Sequence, residues 1–422
     1  MGLLYPMETG GSREAAGVAR MVRLSVSVLA LALFLFATPS WSADQGQPGN
    51  EIKLGSAQPY SGPASPTGAL GFGAQAYFAA LNAKGGINGR KIKYITYDSA
   101  YSPPRMFEVT RRLVEQDHVL AVVGSGGTPT NAVVWKYMNE HKTPQIFIWS
   151  GAARWGDPKG HPWTMGWVPT YQAEARIYAA YALQAVKQPK IAILYQNDDY
   201  GKEYLVGFKD GLGPAGQKLI VSEQSYETTD ASIDSQIVNL KNSGANVLLA
   251  ATVPKYEVQA IRKAYELGWH PVHFVAAISN GVASVLKPAG LEASQGLITA
   301  TFVKDPSDPK YRNDKGMREY LEVIKKYNPR GNPYDVLEVF GYSTAQTMEQ
   351  VLRQCGDDIS KENIMRQAAN LHNVKLPLLL PGIRINTSPT DFYPIKQLRL
   401  ARFDGQRWVL FGKLYDTTKM HR

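Results

Sequence analysis

The chain has 422 residues, 44% of them hydrophobic and 19% charged, with a net charge of +10 and a single cysteine. This length predicts two or three folded units, and the apolar content excludes a disordered, collagen-like or coiled-coil chain. One cysteine excludes intrachain disulfides and multi-cysteine metal sites, and the dispersed charge indicates weak steering of anions rather than binding to nucleic acid.

The N-terminal segment resembles an export signal. An apolar run covers Leu24–Ala37, with arginines before it and small residues after it. The run is shorter than the roughly 20 residues that span a bilayer, which favours a secretory signal over the alternative, a membrane anchor. We therefore predict a cleavable signal peptide over residues 1–42, with Met21 as an alternative start, and a soluble chain in the periplasm.

Short apolar strands alternate with helical patterns in the next hundred residues. The pattern predicts βαβ units and a parallel sheet, because short buried strands are separated by segments with helical periodicity. The predicted strands are Ile52–Ala57, Lys91–Tyr97, Leu120–Gly124 and Gln145–Trp149, and the predicted helices are Leu70–Ala83, Met106–Gln116 and Asn131–Glu140.

A second α/β series follows, so the prediction is an α/β protein with two doubly wound lobes. Its helices are Ala173–Val186, Tyr200–Leu212, Ser232–Asn242 and Lys255–Gly268, and its strands are Lys190–Tyr195, Lys218–Ser222, Asn246–Ala251 and Val272–Ala276. Three more helices are predicted over Lys315–Lys326, Val336–Cys355 and Lys361–Leu371, before a hairpin of Lys396–Phe403 and Arg407–Phe411 around a two-residue turn.

Ligands of open α/β sheets bind beyond the carboxyl ends of the strands, which directs attention to the loops there. The loop of residues 124–130, GSGGTPT, joins a strand to a helix, and Thr128 or Thr130 is expected to cap that helix. Free N–H groups at a helix start favour an anion, although an ordinary capped turn is an equally good interpretation of this segment alone. Ser150, Gly151 and Ala152 follow the next strand and strengthen the prediction of a carboxylate site.

Aromatic residues also cluster near these loops, and a flat ligand could stack on them. Tyr60 and Tyr200 are the best candidates because each follows a predicted strand end; the others are Trp149, Trp155, Trp163 and Trp167.

Signatures of catalysis and metal binding are missing from the sequence. No nucleophile elbow or phosphate-binding P-loop is present. Asp198 and Asp199 are adjacent, and we interpret one of them as a helix cap rather than half of an acid/base pair. His270 and His273 have no carboxylate or cysteine nearby in sequence to complete a metal site. We therefore expect no cofactor, no metal and no enzymatic activity.

Several strings, in order along the chain, resemble one protein family. Residues 52–68 (IKLGSAQPYSGPASPTG), 82–98, 113–124, 190–204 (KIAILYQNDDYGKEY) and 240–251 resemble the leucine/isoleucine/valine-binding class of periplasmic solute-binding proteins, which serve ABC importers. The resemblance implies a type I periplasmic binding protein fold with three crossings between the lobes. The N-terminal lobe would take residues 50–168 and 303–376, and the C-terminal lobe residues 169–302 and 377–422.

The resemblance also implies a set of binding residues. The carboxylate site of the family corresponds to Gly127, Thr128, Ser150, Gly151 and Ala152, and the aromatic residue before glycine in the family's Tyr-Gly motif corresponds to Tyr200. Thr67 and Thr252 occupy positions that are tyrosine in amino-acid binders. Ser279 or Asn280 replaces the acidic residue that holds the ligand ammonium.

That last replacement bears on the ligand, because a buried ammonium without a carboxylate partner costs several kcal/mol. We therefore expect a small carboxylate, aromatic acids included, with its ring against Tyr60 or Tyr200. The strings WSGAARWGDP and HPWTMGW resemble a branch that binds lignin-type aromatic acids. Branched-chain or other amino acids and amides are the alternative ligands, and a sensory receptor domain or an exported hydrolase are alternative functions. The expected partners are a permease and an ATPase, with the chain itself a monomer.

Overall fold

The computed structural model describes residues 51–420, and its first sheet is built from the N-terminal βαβ units. The five strands are parallel and run in the order β2-β1-β3-β4-β5. The elements are β1 (Glu51–Gln58), α1 (Ala69–Ala83), β2 (Lys91–Asp98), α2 (Pro103–Glu115), β3 (Ala121–Val123), α3 (Thr128–Glu140), β4 (Gln145–Ile148) and β5 (Thr164–Gly166).

The second sheet has seven strands in the order β12-β11-β10-β9-β8-β6-β7. Strands β6 to β10 pair in parallel, whereas β11 pairs antiparallel with both β10 and β12. The elements are α4 (Tyr171–Ala185), β6 (Ile191–Gln196), α5 (Asp199–Gly216), β7 (Ile220–Tyr226), α6 (Asp234–Asn242), β8 (Val247–Ala251), α7 (Pro254–Glu266), β9 (Val272–Val275), β10 (Ile298–Thr301), β11 (Gln397–Phe403) and β12 (Trp408–Asp416).

Three helices between β10 and β11 return the chain to the first sheet. They are α8 (Lys315–Tyr327), α9 (Val336–Cys355) and α10 (Lys361–Ala368), and both α8 and α9 pack against α1. The approach of α9 to α1 is close because a glycine stands on each helix: a Cβ on Gly341 would lie 1.8 Å from the Leu70 carbonyl oxygen, and one on Gly73 would lie 2.1 Å from the Glu338 carbonyl oxygen.

The predicted α/β fold with two doubly wound, mainly parallel sheets is confirmed. Every residue of β8 is buried, and its sequence is a continuous apolar run, because helices cover both faces of a parallel sheet. Two short strands, β5 and β10, were not predicted, since three or four residues carry little periodicity. The predicted two-residue hairpin turn is wrong: β11 ends at Phe403 and β12 begins at Trp408, so four residues connect them.

The predicted signal peptide, residues 1–42, lies outside the described residues. Within residues 51–420, no helix combines the length and apolar character needed to cross a membrane.

Candidate functional site

The loops that follow the strands of the two sheets meet around a small cavity of about 20 Å³. Residues from α1, α3 and the loops after β1 to β4 supply one side, and residues from α4, α5 and the loops after β8 and β9 supply the other. The lining residues are Ala64, Thr67, Leu70, Tyr101, Gly126, Gly127, Thr128, Trp149, Tyr171, Tyr200, Val253 and Ile278. We call this space the ligand cavity.

Helix α3 begins at the wall of the ligand cavity. Its first residue is Thr128, and Gly127 precedes it with φ of 101°, a conformation that favours glycine. A side chain on Gly127 would also lie 2.7 Å from the Tyr101 ring. Pro129 has no N–H, so the first turn offers the N–H groups of Thr128 and Thr130, which have no partner within the helix, and the helix dipole places partial positive charge there. This end of the cavity therefore suits an anion.

A chain of hydroxyl groups orients the Thr128 side chain. The Trp155 indole N–H donates to Ser150 Oγ at 2.8 Å, and Ser150 Oγ lies 2.7 Å from Thr128 Oγ1. The Ala152 N–H also donates to Ser150 Oγ, at 3.4 Å, so two donors occupy both acceptor positions of Ser150 and its own proton is directed to Thr128. The Thr128 proton is then available to the Tyr171 hydroxyl, 3.1 Å away, or to a ligand oxygen.

The opposite wall is held by the carbonyl of Thr252. The Tyr200 hydroxyl donates to this carbonyl oxygen at 2.9 Å and the Ser279 hydroxyl donates to it at 2.6 Å. The Tyr200 ring lines the cavity and stands edge-on to Tyr171, with centroids 5.0 Å apart. The Thr252 hydroxyl bonds to the Glu257 carboxylate. Thr252 and Ser279 thus support the wall through buried hydrogen bonds and do not line the cavity themselves.

The remaining candidate residues divide between the cavity and its surroundings. Thr67 lines it, with its hydroxyl donating to the Ala64 carbonyl oxygen at 2.7 Å. Gly151 and Ala152 lie behind the wall: the Gly151 carbonyl accepts from the Tyr171 N–H at 2.9 Å, and Ala152 is buried. Tyr60 does not line the cavity, because its ring stacks on Phe72 of α1.

Asn280 lies in a separate cavity, lined also by Asp305, Asp308 and Trp408. Its backbone carbonyl accepts from the Trp408 indole N–H at 2.8 Å. The loop therefore turns Ile278, rather than Ser279 or Asn280, toward the ligand cavity.

The structure also decides three local predictions. Neither Thr128 nor Thr130 caps α3, because Gly127 is the N-cap residue, so that prediction is wrong. Asp198 caps α5, accepting from the Tyr200 N–H at 2.9 Å, so the predicted capping role of one of the paired aspartates is confirmed. His273 does have a carboxylate neighbour, Glu257, with Nε2 and Oε1 3.1 Å apart, which the sequence separation concealed.

In residues 51–420, no group of three or more His, Cys, Asp or Glu side chains is arranged to hold a metal ion.

Comparison with known proteins assigns the chain to a family. The profile described as "Periplasmic binding protein" matches residues 51–407. The chain belongs to this family of periplasmic binding proteins. The family is one of solute-binding proteins, and the two parallel-dominated sheets match the structures of type I periplasmic binding proteins.

The binding protein has curated and structural relatives. It is 25% identical over 293 residues to "Leu/Ile/Val-binding protein homolog 7" of Brucella abortus, covering 65% of this chain and 70% of the relative. Its fold superposes on a branched-chain amino acid ABC transporter protein from Thermus thermophilus with bound valine (TM-score 0.78, 18% identity, 88% and 98% of the two chains). It also superposes on an R. palustris solute-binding protein in complex with benzoate (TM-score 0.72, 18% identity, 86% and 96% coverage).

Two residues that line the ligand cavity, Tyr171 and Tyr101, were not among the binding residues predicted from the sequence. Tyr171 is the first residue of α4 and follows the Pro169-Thr170 pair, in which Thr170 is the helix cap that marks this start in the sequence. Tyr101 adopts φ of 55°, which no local pattern indicates. Both side chains reach the cavity from segments distant in sequence, so only the folded chain brings them together.

A buried carboxylate, Glu174, lies close to the ligand cavity on the first turn of α4. Its side chain is 4% exposed, and Oε1 accepts from the Tyr178 hydroxyl at 2.7 Å and the Ala277 N–H at 2.9 Å. Burial raises the pKa of Glu174 to about 7, although hydrogen bonds from Tyr178, Ala277 and Tyr204 favour the ionised carboxylate.

The raised pKa makes stability depend on pH. Between the ordinary value of 4.5 and about 7, the folded protein holds a proton that the unfolded chain releases. The free energy of unfolding should therefore fall as the pH rises through this window, with up to about 3 kcal/mol from Glu174. We expect Glu174→Gln to reduce this slope in urea unfolding measured at about pH 5 and about pH 8. Glu338, whose pKa burial also raises to about 7, supplies a residual slope of the same sign; an unchanged total slope would contradict the assignment to Glu174.

Proposed function

We propose that this chain is the substrate-binding component of an ABC importer, which captures a small carboxylate and hands it unchanged to a permease. The observation that carries the proposal is the start of α3 at the ligand cavity, with the Thr128 hydroxyl oriented by Ser150 and Trp155. No Lys, Arg or His lines this cavity in the described chain. N–H and hydroxyl donors would therefore carry the recognition of a carboxylate.

The proposed ligand is a carboxylate without an α-ammonium, and an aromatic acid fits the aromatic wall of Trp149, Tyr171 and Tyr200. Flat rings gain free energy from stacking and edge contacts with such walls. The benzoate carried by the R. palustris relative supports this class, and the valine carried by the Thermus relative supports the second candidate, an amino acid. The absence of a carboxylate among the residues lining the cavity favours the first.

We propose that transport works by closure of two lobes, residues 50–168 with 303–376 and residues 169–302 with 377–422. Polar contacts join residues of the first lobe to residues of the second and would hold the cleft closed. The Arg154 guanidinium bonds to the Asp199 carboxylate, and the Ala153 N–H donates to Glu203 Oε1 at 3.1 Å. A ligand that touches both walls shifts the population toward the closed form, because only that form makes all its contacts. We further propose that the chain is exported to the periplasm through its signal peptide and acts there with a permease and an ATPase as partners. In this proposal it is a monomer without enzymatic activity.

A thermal-shift panel tests the ligand class. Because a ligand at 100 times its dissociation constant adds about 2.7 kcal/mol to the free energy of unfolding, binding should raise the melting temperature by several degrees. We expect benzoate-type acids to raise it and leucine or valine to leave it unchanged. A response to leucine with none to benzoate would instead establish the amino-acid alternative. Chromatography of the incubated mixture tests for turnover, and a loss of the acid would indicate an enzyme.

A further inference from the structure

A short turn behind the carboxylate end of the ligand cavity links this site to a distant part of the chain. The turn is the 3₁₀ helix Ala153–Gly156. Its Trp155 side chain is 1% exposed and donates its indole N–H to Ser150 Oγ at 2.8 Å. Because Ser150 Oγ lies 2.7 Å from Thr128 Oγ1, the position of this turn acts on the hydrogen bonds at the cavity. We call the segment the Trp155 turn.

Tyr393 holds the outer side of the Trp155 turn. Its hydroxyl donates to the Ala153 carbonyl oxygen at 2.6 Å, across 240 residues of sequence. Its ring lies on Gly156, where an added Cβ would lie 1.8 Å from Tyr393 Cζ. Burial raises the pKa of Tyr393 to about 12, so the hydroxyl keeps its proton at neutral pH and remains a donor. One side chain thus contacts both ends of the turn.

Two residues of α5 hold the first half of the Trp155 turn. The Ala153 N–H donates to Glu203 Oε1 at 3.1 Å, and the Arg154 guanidinium bonds to the Asp199 carboxylate. These contacts precede Trp155 in the chain, whereas the ring of Tyr393 covers the residue that follows it. Loss of Tyr393 would therefore free the second half of the turn, and with it the indole.

The indole determines the direction of the hydroxyl protons at the cavity. While it donates to Ser150, the Ser150 proton points to Thr128, and the Thr128 proton is available to a ligand oxygen. Without the indole, Ser150 can accept from Thr128 instead, and Thr128 Oγ1 can then accept from the ligand. A carboxylate has only acceptors, whereas a carboxamide presents a donor at one of its two positions. The held turn therefore favours a carboxylate over a carboxamide.

We propose that Tyr393 is a positioning residue of the carboxylate site. It holds the Trp155 turn in place, and the turn in its place makes the Thr128 hydroxyl a donor. This inference rests on the proposed function and deepens it, because the choice between a carboxylate and a carboxamide then depends on a residue that does not line the ligand cavity.

The first test needs no ligand. Nuclear magnetic resonance of the exported chain, labelled with ¹⁵N at its tryptophan indoles, reports the Trp155 N–H, whose signal is identified by its loss in Trp155→Phe. We expect Tyr393→Ala to shift this signal and Tyr181→Ala to leave it in place. Tyr181 is the matched control, a half-buried tyrosine in the last turns of α4 whose hydroxyl accepts from Arg402 Nη2 at 2.6 Å. An unshifted signal in Tyr393→Ala would overturn the inference.

The second test compares benzoate with benzamide by calorimetry. Wild type should bind benzoate at least about tenfold more tightly, because hydrogen bonds to a charged acceptor are stronger than those to a neutral one. Tyr393→Ala should weaken benzoate binding about tenfold and leave benzamide binding nearly unchanged, so the ratio of the two affinities falls toward one. Tyr393→Phe keeps the ring on Gly156 and should lower the ratio only about threefold. Tyr181→Ala should keep the wild-type ratio.

The outcomes separate the positioning role from the function. An equal loss of affinity for both probes in Tyr393→Ala would show general support of the fold, and this result or an unchanged ratio would overturn the inference while the proposed function stands. A wild type that binds neither probe, or both equally well, would overturn the function and the inference together. If Tyr393→Ala does not fold, Tyr393→Phe decides both tests, because it removes only the hydroxyl that holds Ala153.

Discussion

The double variant Thr128→Ala with Ser150→Ala is expected to bind its carboxylate ligand about a hundredfold more weakly while remaining folded. Thr128 supplies the hydroxyl donor at the cavity, and Ser150 fixes the direction of its proton. A hydrogen bond to a charged acceptor contributes about 1.5–3 kcal/mol, so loss of the donor and of its orientation accounts for the expected change. Calorimetry with the acid that gives the largest thermal shift measures it.

The stability of the double variant should fall by about 1–3 kcal/mol, because the buried Trp155 indole N–H loses its acceptor, Ser150 Oγ. Far-ultraviolet circular dichroism and the melting temperature check that the fold persists. Thr128→Ser should retain most of the affinity, since it keeps the hydroxyl.

A control at another buried threonine separates binding from packing. Thr110 lies in α2 away from the cavity and its hydroxyl has no partner, so Thr110→Ala should leave affinity unchanged. If the double variant binds as tightly as wild type, Thr128 and Ser150 do not belong to the binding site.

Gly341→Ala is expected to destabilise the protein by about 3 kcal/mol. In an open helix this change would stabilise by up to about 1 kcal/mol, because alanine has the higher helix propensity. Here the added Cβ would lie 1.8 Å from the Leu70 carbonyl oxygen, so α9 has to move away from α1. Neither partner can yield locally, because both contacting groups belong to helix backbones, and overpacking of this kind costs 1–3 kcal/mol or more. Urea unfolding gives the change in free energy.

The same displacement should weaken ligand binding, because α9 supports the cavity. The Trp149 indole N–H donates to Thr344 Oγ1 at 2.9 Å, and the tilted Phe340 and Trp149 rings have centroids 4.6 Å apart. The control is Gly216→Ala at the end of α5, where φ is −75° and the nearest atom to an added Cβ is Leu212 Cβ at 3.1 Å, a far milder contact. There we expect a change below about 1 kcal/mol. Equal effects at the two glycines would show that helix contact is not the cause.

The alternation of strands and helices was predictable because each element carries its own signal. Buried runs such as Val247–Ala251 and the helical periodicity of Lys315–Tyr327 are set by neighbouring residues alone. The same holds for the loops after the strands, since chain direction in a parallel sheet sends their carboxyl ends to one edge. That rule selected the loop of residues 124–130, the family resemblance assigned Gly127 and Thr128 to the carboxylate site, and the structure brings both residues to one cavity.

The sequence by itself thus determined two α/β units, the strand-end loops and the polar character of the cavity at α3. Only the tertiary structure decided which side chains face that cavity: Tyr171 and Ile278 rather than Tyr60, Ser279 or Asn280, with Glu174 in the cavity beside it. The physical reason is that the direction of a loop side chain is fixed by its partners across the fold. The Thr252 carbonyl holds Ser279 and the Phe72 ring holds Tyr60, and no local pattern records either contact.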